Sequence, residues 1–195
     1  MTDVTRFQGL RVGAAICGSF CTFEKVFTQL EQLKDMGCTV TPIMSYNAAQ
    51  TDTRFGAAQQ HIERLKKLSG NIILDLTAAE PIGPKHMFDV LVVAPCTGNT
   101  LAKLALGITD TPVCLAVKSH LRNQRPVVIG VSTNDALSGA SKNIGALRNY
   151  RNLYFVPLGQ DDPSAKPFSM VADFTKLPET IAEALDGRQI QPMIF

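Results

Sequence analysis

Apolar residues along the chain follow two alternating rhythms. Leu10–Cys17 is a short apolar run ending at Gly18-Ser19 and reads as a buried strand. Phe20, Phe23, Val26, Phe27, Leu30 and Leu33 then recur at threes and fours, which marks one face of a helix that Gly37 stops. Thr39–Met44 predicts a second strand, Thr53–Leu68 a helix, and Ile72–Leu76 a short strand before the loop Glu80–Pro84. Val90–Ala94 is another buried run. Thr100–Leu106 is a short helix ending at Gly107, and Pro112 suits the first turn of a helix facing inward through Val113, Val117 and Leu121. Val127–Val131 is a strand, Ser138–Asn149 a helix, and Leu153–Val156 the last strand. Gln160–Lys176 holds Pro163 and Pro167 and reads as a long loop, and Pro178–Leu185 closes the chain as a helix.

Strands alternating with helices predict an α/β fold: three layers, doubly wound, with a mainly parallel sheet of five or six strands. Neither a repeat nor a linker breaks the pattern. The expectation is one domain over residues 1–195, with a C-terminal loop and helix from about residue 158.

Composition narrows the function. With 45% hydrophobic and 18% charged residues the chain is globular rather than disordered. Nineteen Lys and Arg against 17 Asp and Glu leave a net charge of +2, with no basic run, so nucleic acid is not expected as a partner. The longest apolar stretch, around Val90–Pro95, is far short of the ~20 residues of a membrane span. The start of the sequence has no apolar leader, and the five cysteines are odd in number without a C-x-x-C pair. Free thiols and a cytoplasmic setting are expected. His61, His86 and His120 lack metal-ligand spacing, so no metal site is expected. His120 reads as a solvated helix residue, and Lys142 and Arg148 as water-facing charges.

Three places suit ligand chemistry, because parallel sheets bind ligands beyond the carboxyl ends of their strands. At Gly18-Ser19-Phe20 a glycine admits close backbone approach and a helix start favours an anion; an ordinary capped turn explains the same residues. Pro95-Cys96-Thr97-Gly98-Asn99-Thr100 follows a buried strand and opens a helix, leaving room for a flat ligand or simply making a capped turn. Ser45 ends the second strand, within reach of the first loop. Gly13 lies inside a strand, so no GxGxxG dinucleotide fingerprint forms.

Taken together, Gly18-Ser19-Phe20 and the segment Asp89–Asp110, with its Pro95–Thr100 loop and Leu101-Ala102-Lys103-Leu104-Ala105 helix, resemble the flavoprotein family of the homo-oligomeric flavin-containing cysteine decarboxylases. The resemblance implies FMN, with Gly18, Ser19 and Ser45 around its phosphate and Phe20 also at the cofactor. It also implies Pro95, Cys96, Thr97, Gly98, Asn99 and Thr100 along its isoalloxazine, where Gly98 leaves space for the ring. Two features of those decarboxylases are missing. Asn71-Ile72-Ile73-Leu74 carries no histidine, and Thr133-Asn134-Asp135-Ala136-Leu137 keeps the Asn of a substrate clamp without its methionines.

Ala79–Lys85, Ser132–Leu137, Lys142–Leu147 and Tyr154–Pro163 are similar instead to the B-subunit family of the dipicolinate synthases of spore-forming bacteria. That similarity implies oxidation of a dihydro- or tetrahydrodipicolinate, a small cyclic dicarboxylate, in the cytoplasm of the mother cell. The implied partner is the dipicolinate synthase A subunit, which carries NADP, and a homo-oligomer is implied by the wider family. Asn99 and Asn134 are the candidate polar contacts to the substrate, and no residue stands out as a catalytic base. One alternative is a non-catalytic partner that stabilises the A subunit. Further off is a flavin-dependent decarboxylase.

Overall fold

The computed structural model describes residues 4–195. After a 3-10 turn at Val4–Phe7 come the strands β1 (Arg11–Ile16), β2 (Thr39–Met44), β3 (Val90–Cys96), β4 (Val127–Thr133), β5 (Leu153–Phe155), β6 (Leu158–Gly159) and β7 (Met170–Ala172). The helices are α1 (Phe23–Asp35), α2 (Tyr46–Gln50), α3 (Ala58–Ser69), α4 (Leu76–Ala79), α5 (Gly98–Leu106), α6 (Pro112–Arg122), α7 (Ser141–Leu147) and α8 (Leu177–Leu185).

The strands form one sheet of order β2-β1-β3-β4-β7-β6. β1, β2, β3 and β4 run parallel, and β5 joins the first half of β4 in parallel through Val127↔Leu153 and Ile129↔Phe155. β7 occupies the second half of that same edge, antiparallel, through Ser132↔Val171 and Thr133↔Met170. Every residue of β3 is buried, because helices cover both faces and leave the central strand no contact with water. α1 packs against α8, and α5 against α6 and α7, which makes the two outer layers. α1 buries Phe23, Phe27, Leu30 and Leu33. Gly13 sits on β1 under Phe88 and Leu91, where a Cβ would come within 2.5 Å and 2.7 Å of their carbons.

The fold class agrees with the hydrophobic pattern, and four local expectations do not. Ile72–Leu76 is not a strand: Ile73 makes a single bridge to Ile43, and Asp75 then caps α4 by accepting from the Ala78 N–H. The helix expected from Thr53 begins at Ala58, because Thr53 and Gly56 close a tight turn first. The stretch Gln160–Lys176 carries β7, so the sheet has seven strands. His120 is 1% exposed rather than solvated, since α6 turns it towards the core.

Candidate functional site

The carboxyl ends of β1, β2 and β3 are laced together by their own backbones. The Cys17 N–H donates to the Pro95 carbonyl at 3.1 Å, and the Ser45 N–H to the Ile16 carbonyl at 3.0 Å. Beyond this rim lie two chambers that share Gly18 and Thr97 as a common wall.

The smaller chamber, about 380 Å³, is framed by the starts of three helices: Ser45, Thr97 and Thr111 are the N-caps of α2, α5 and α6, and all three line it. Each cap satisfies one N–H of its first turn, and the others remain aimed outward. Gly18 adds an N–H that makes no hydrogen bond within the described residues. A Cβ at Gly18 would meet nothing closer than 3.4 Å, so the protein's own packing does not require glycine there. Asn99 and Thr100 complete this side, with Lys103 held 2.8 Å from Asp110. The Lys103 ammonium keeps the Asp110 carboxyl below its usual range. Oriented N–H groups, hydroxyls and a lysine form a donor set suited to an anion.

The larger chamber, about 470 Å³, is lined by Ser19, Phe20, Ser132, Thr133 and Asn134, together with Arg54, Phe55, Asp161 and Lys166. Ser19 Oγ and Ser132 Oγ lie 2.8 Å apart. Whichever hydroxyl donates, the other keeps a hydrogen for a ligand. The Ser19 N–H is already committed to the Cys17 carbonyl at 2.8 Å, so only its side chain is available.

The structure brings Gly18, Ser45, Thr97, Asn99 and Thr100 around the smaller chamber, and Ser19, Phe20 and Asn134 around the larger. Asn99 and Asn134 therefore sit in different chambers. Pro95 and Cys96 line neither and are buried in β3. Cys96 is fully buried, and burial pushes its thiol well above the ordinary cysteine range, so it is a small packed residue. Thr100 Oγ1 donates to Cys17 Sγ at 3.2 Å beneath the same wall. Gly98 also lines neither chamber. A Cβ there would come within 2.7 Å of Thr133 Oγ1 and 2.8 Å of Asp135 Oδ1, so the glycine is required by packing against the end of β4. This packing accounts for a glycine at 98 independently of any ring.

Sequence reading missed Arg54, Phe55, Ser132, Asp161 and Lys166. Arg54 and Lys166 lie on segments taken for a helix and a long loop. Only the Thr53–Gly56 turn and the β6–β7 hairpin carry them to the crevice.

The flavoprotein family pattern matches residues 3–183. The chain is 44% identical over 192 residues to the B subunit of dipicolinate synthase from Bacillus subtilis (strain 168), covering 98% of this chain and 96% of that protein. The crystal structure of the dipicolinate synthase B subunit from Bacillus halodurans C superposes with a TM-score of 0.89 at 44% identity, over 97% of each chain. The FMN-dependent cysteine decarboxylase SpaF shares the fold, with a TM-score of 0.65 at 22% identity over 91% of this chain and 98% of that one.

Proposed function

The chain belongs to the flavoprotein family and, within it, to the dipicolinate synthase B subunits, and from that premise we propose that it serves as the B subunit of an oxidoreductase converting a dihydro- or tetrahydrodipicolinate to dipicolinate. In this reading NADP is carried by a separate A subunit, and the protein works as a homo-oligomer in the cytoplasm of a sporulating mother cell.

The observation that carries the proposal is the pair of adjoining chambers. One has the donors of an anion site, with three helix N-caps and the free Gly18 N–H around it; the other has hydroxyls, aromatic rings and cations. This donor set fits an FMN phosphate near Gly18 and Ser45, with the backbone of Thr97–Thr100 beside the ring. FMN, when bound, supplies hydride acceptance. The chain's own residues bind, orient and exclude water: Asn99 and Asn134 offer amide contacts, and the Ser19–Ser132 pair offers a hydroxyl hydrogen.

A second reading has its own support. Lys103 and Asp110 neutralise one another at the wall of the smaller chamber, and the Ser19–Ser132 hydrogen bond uses one of the two hydroxyl hydrogens in the larger. A crevice partly self-satisfied also suits a non-catalytic partner that stabilises the A subunit.

Titration of the purified protein with FMN, followed by flavin fluorescence, separates the two. Saturable binding, together with dipicolinate formation only when both subunits, substrate and NADP are mixed, supports the oxidoreductase reading. Absence of flavin binding, with the A subunit still stabilised, supports the second.

A further inference from the structure

We propose that Arg54 and Lys166 are the two carboxylate anchors of the larger chamber, each taking one carboxylate of a cyclic dicarboxylate. This rests on the functional reading above and adds the residues that would recognise its substrate.

The two cations reach the chamber from opposite edges of the sheet. Arg54 sits on a turn that follows β2 at one edge, and Lys166 on the loop joining β6 to β7 at the other. Both line the same chamber at the ends of the central strands.

Both are held in place. Thr53 and Gly56 exchange backbone hydrogen bonds of 3.1 Å each way, and the Phe55 N–H donates to Thr53 Oγ1 at 3.1 Å. On the other side the Lys166 N–H donates to the Asp162 carbonyl at 2.7 Å. The Leu137 N–H donates to the Phe168 carbonyl at 3.0 Å, which ties the hairpin loop to the segment after β4.

Both still have hydrogen-bond donors to offer. Arg54 has no carboxylate partner among the described residues; its guanidinium stacks over the Phe55 ring at 4.9 Å. That leaves its two-pronged edge free, the geometry that grips a carboxylate. Lys166 contacts Asp161 at 3.1 Å, which aims the ammonium and uses one of its three donors. The same chamber is lined by Phe20 and by Ser19 and Ser132, a ring and two hydroxyls suited to a flat ligand with polar edges.

The test is calorimetric titration of the purified flavin-treated protein with pyridine-2,6-dicarboxylate and with the monocarboxylate pyridine-2-carboxylate. Wild type should prefer the dicarboxylate. Arg54→Gln and Lys166→Gln should each weaken dicarboxylate binding about tenfold, the scale of one lost charged hydrogen bond. Both should also abolish the preference over the monocarboxylate, a change that a merely structural role does not produce. Arg54→Lys should restore part of it. Both residues are exposed, so folding is expected to survive, and thermal unfolding checks this. If wild type prefers the dicarboxylate and both Gln variants keep that preference, the anchors are refuted while the functional reading stands. If wild type binds flavin but neither pyridine carboxylate, the anchors are likewise refuted. If wild type binds neither flavin nor dicarboxylate, the functional reading fails and the anchors fail with it.

Discussion

Ser19 and Ser132 stand 113 residues apart in sequence, yet their hydroxyl oxygens are 2.8 Å apart, joining the loop after β1 to the end of β4. Both residues line the larger chamber, and their contact makes a double-mutant prediction possible. Ser19→Ala and Ser132→Ala should each cost about 1 kcal/mol, and the double variant should cost little more than either, because one hydrogen bond is lost in all three. Chemical unfolding measures this; full additivity would show that the hydroxyls act independently. Ser19→Asp adds an anion beside Gly18 and should abolish FMN binding in a fluorescence titration. Unchanged affinity would place the phosphate elsewhere.

Gly98 makes a different demand. Its missing Cβ leaves room for Thr133 Oγ1 and Asp135 Oδ1, which themselves hydrogen-bond at 2.6 Å. Gly98→Ala should therefore lower stability by about 1–3 kcal/mol whether or not flavin is present, the usual cost of overpacking. Removing both neighbours, Thr133→Ala with Asp135→Ala, should recover much of that loss in thermal unfolding. A stable Gly98→Ala protein that has lost only flavin would return the glycine to a ligand role.

At Gly13 the neighbours are core side chains, Phe88 and Leu91, with no room to retreat. Gly13→Ala should cost about 1–3 kcal/mol, and Gly13→Ala with Phe88→Leu should cost less than Gly13→Ala alone. Equal midpoints for Gly13→Ala and wild type in denaturant would contradict this packing.

Burial, then the nearby Arg125 guanidinium, pushes the His120 imidazole down to about 4, against the weaker opposing effects of a backbone hydrogen bond at Pro126 and of the Asp89 carboxylate. Its Nε2 is buried without a partner, so the neutral ring is the form that fits. The unfolded chain takes up the proton first as pH falls. The contribution is therefore complete above about pH 6.5 and is lost between there and pH 4, amounting to about 3 kcal/mol. His120→Asn should flatten the stability-against-pH curve in that window. A slope equal to wild type would show that His120 is not responsible.

Much of the fold is legible along the chain because its signals are local. Buried parallel strands read as short apolar runs, and α1 shows its face through Phe23, Val26, Phe27 and Leu30. Met170-Val171-Ala172 is too short to stand out and becomes a strand by pairing with Ser132 and Thr133 on one side and with Leu158 and Gly159 on the other. Ile72–Leu74 carries a strand-like pattern, yet only Ile73 finds a partner, and Asp75 caps a helix directly after it.

The candidate site divides in the same way. Gly18, Ser45 and Thr97–Thr100 are visible in sequence because each ends a strand and begins a helix, and a parallel sheet necessarily gathers such junctions at one edge. Arg54, Ser132 and Lys166 carry no local mark. They meet because the Thr53–Gly56 turn and the β6–β7 hairpin fold over opposite sides of that edge. The sequence alone determined the α/β layering, through apolar periodicity, and the strand-end loops that line the smaller chamber. Tertiary structure alone decided the composition of the larger chamber, because a contact such as Ser19–Ser132, 113 positions apart, depends on sheet order, which local patterns do not encode.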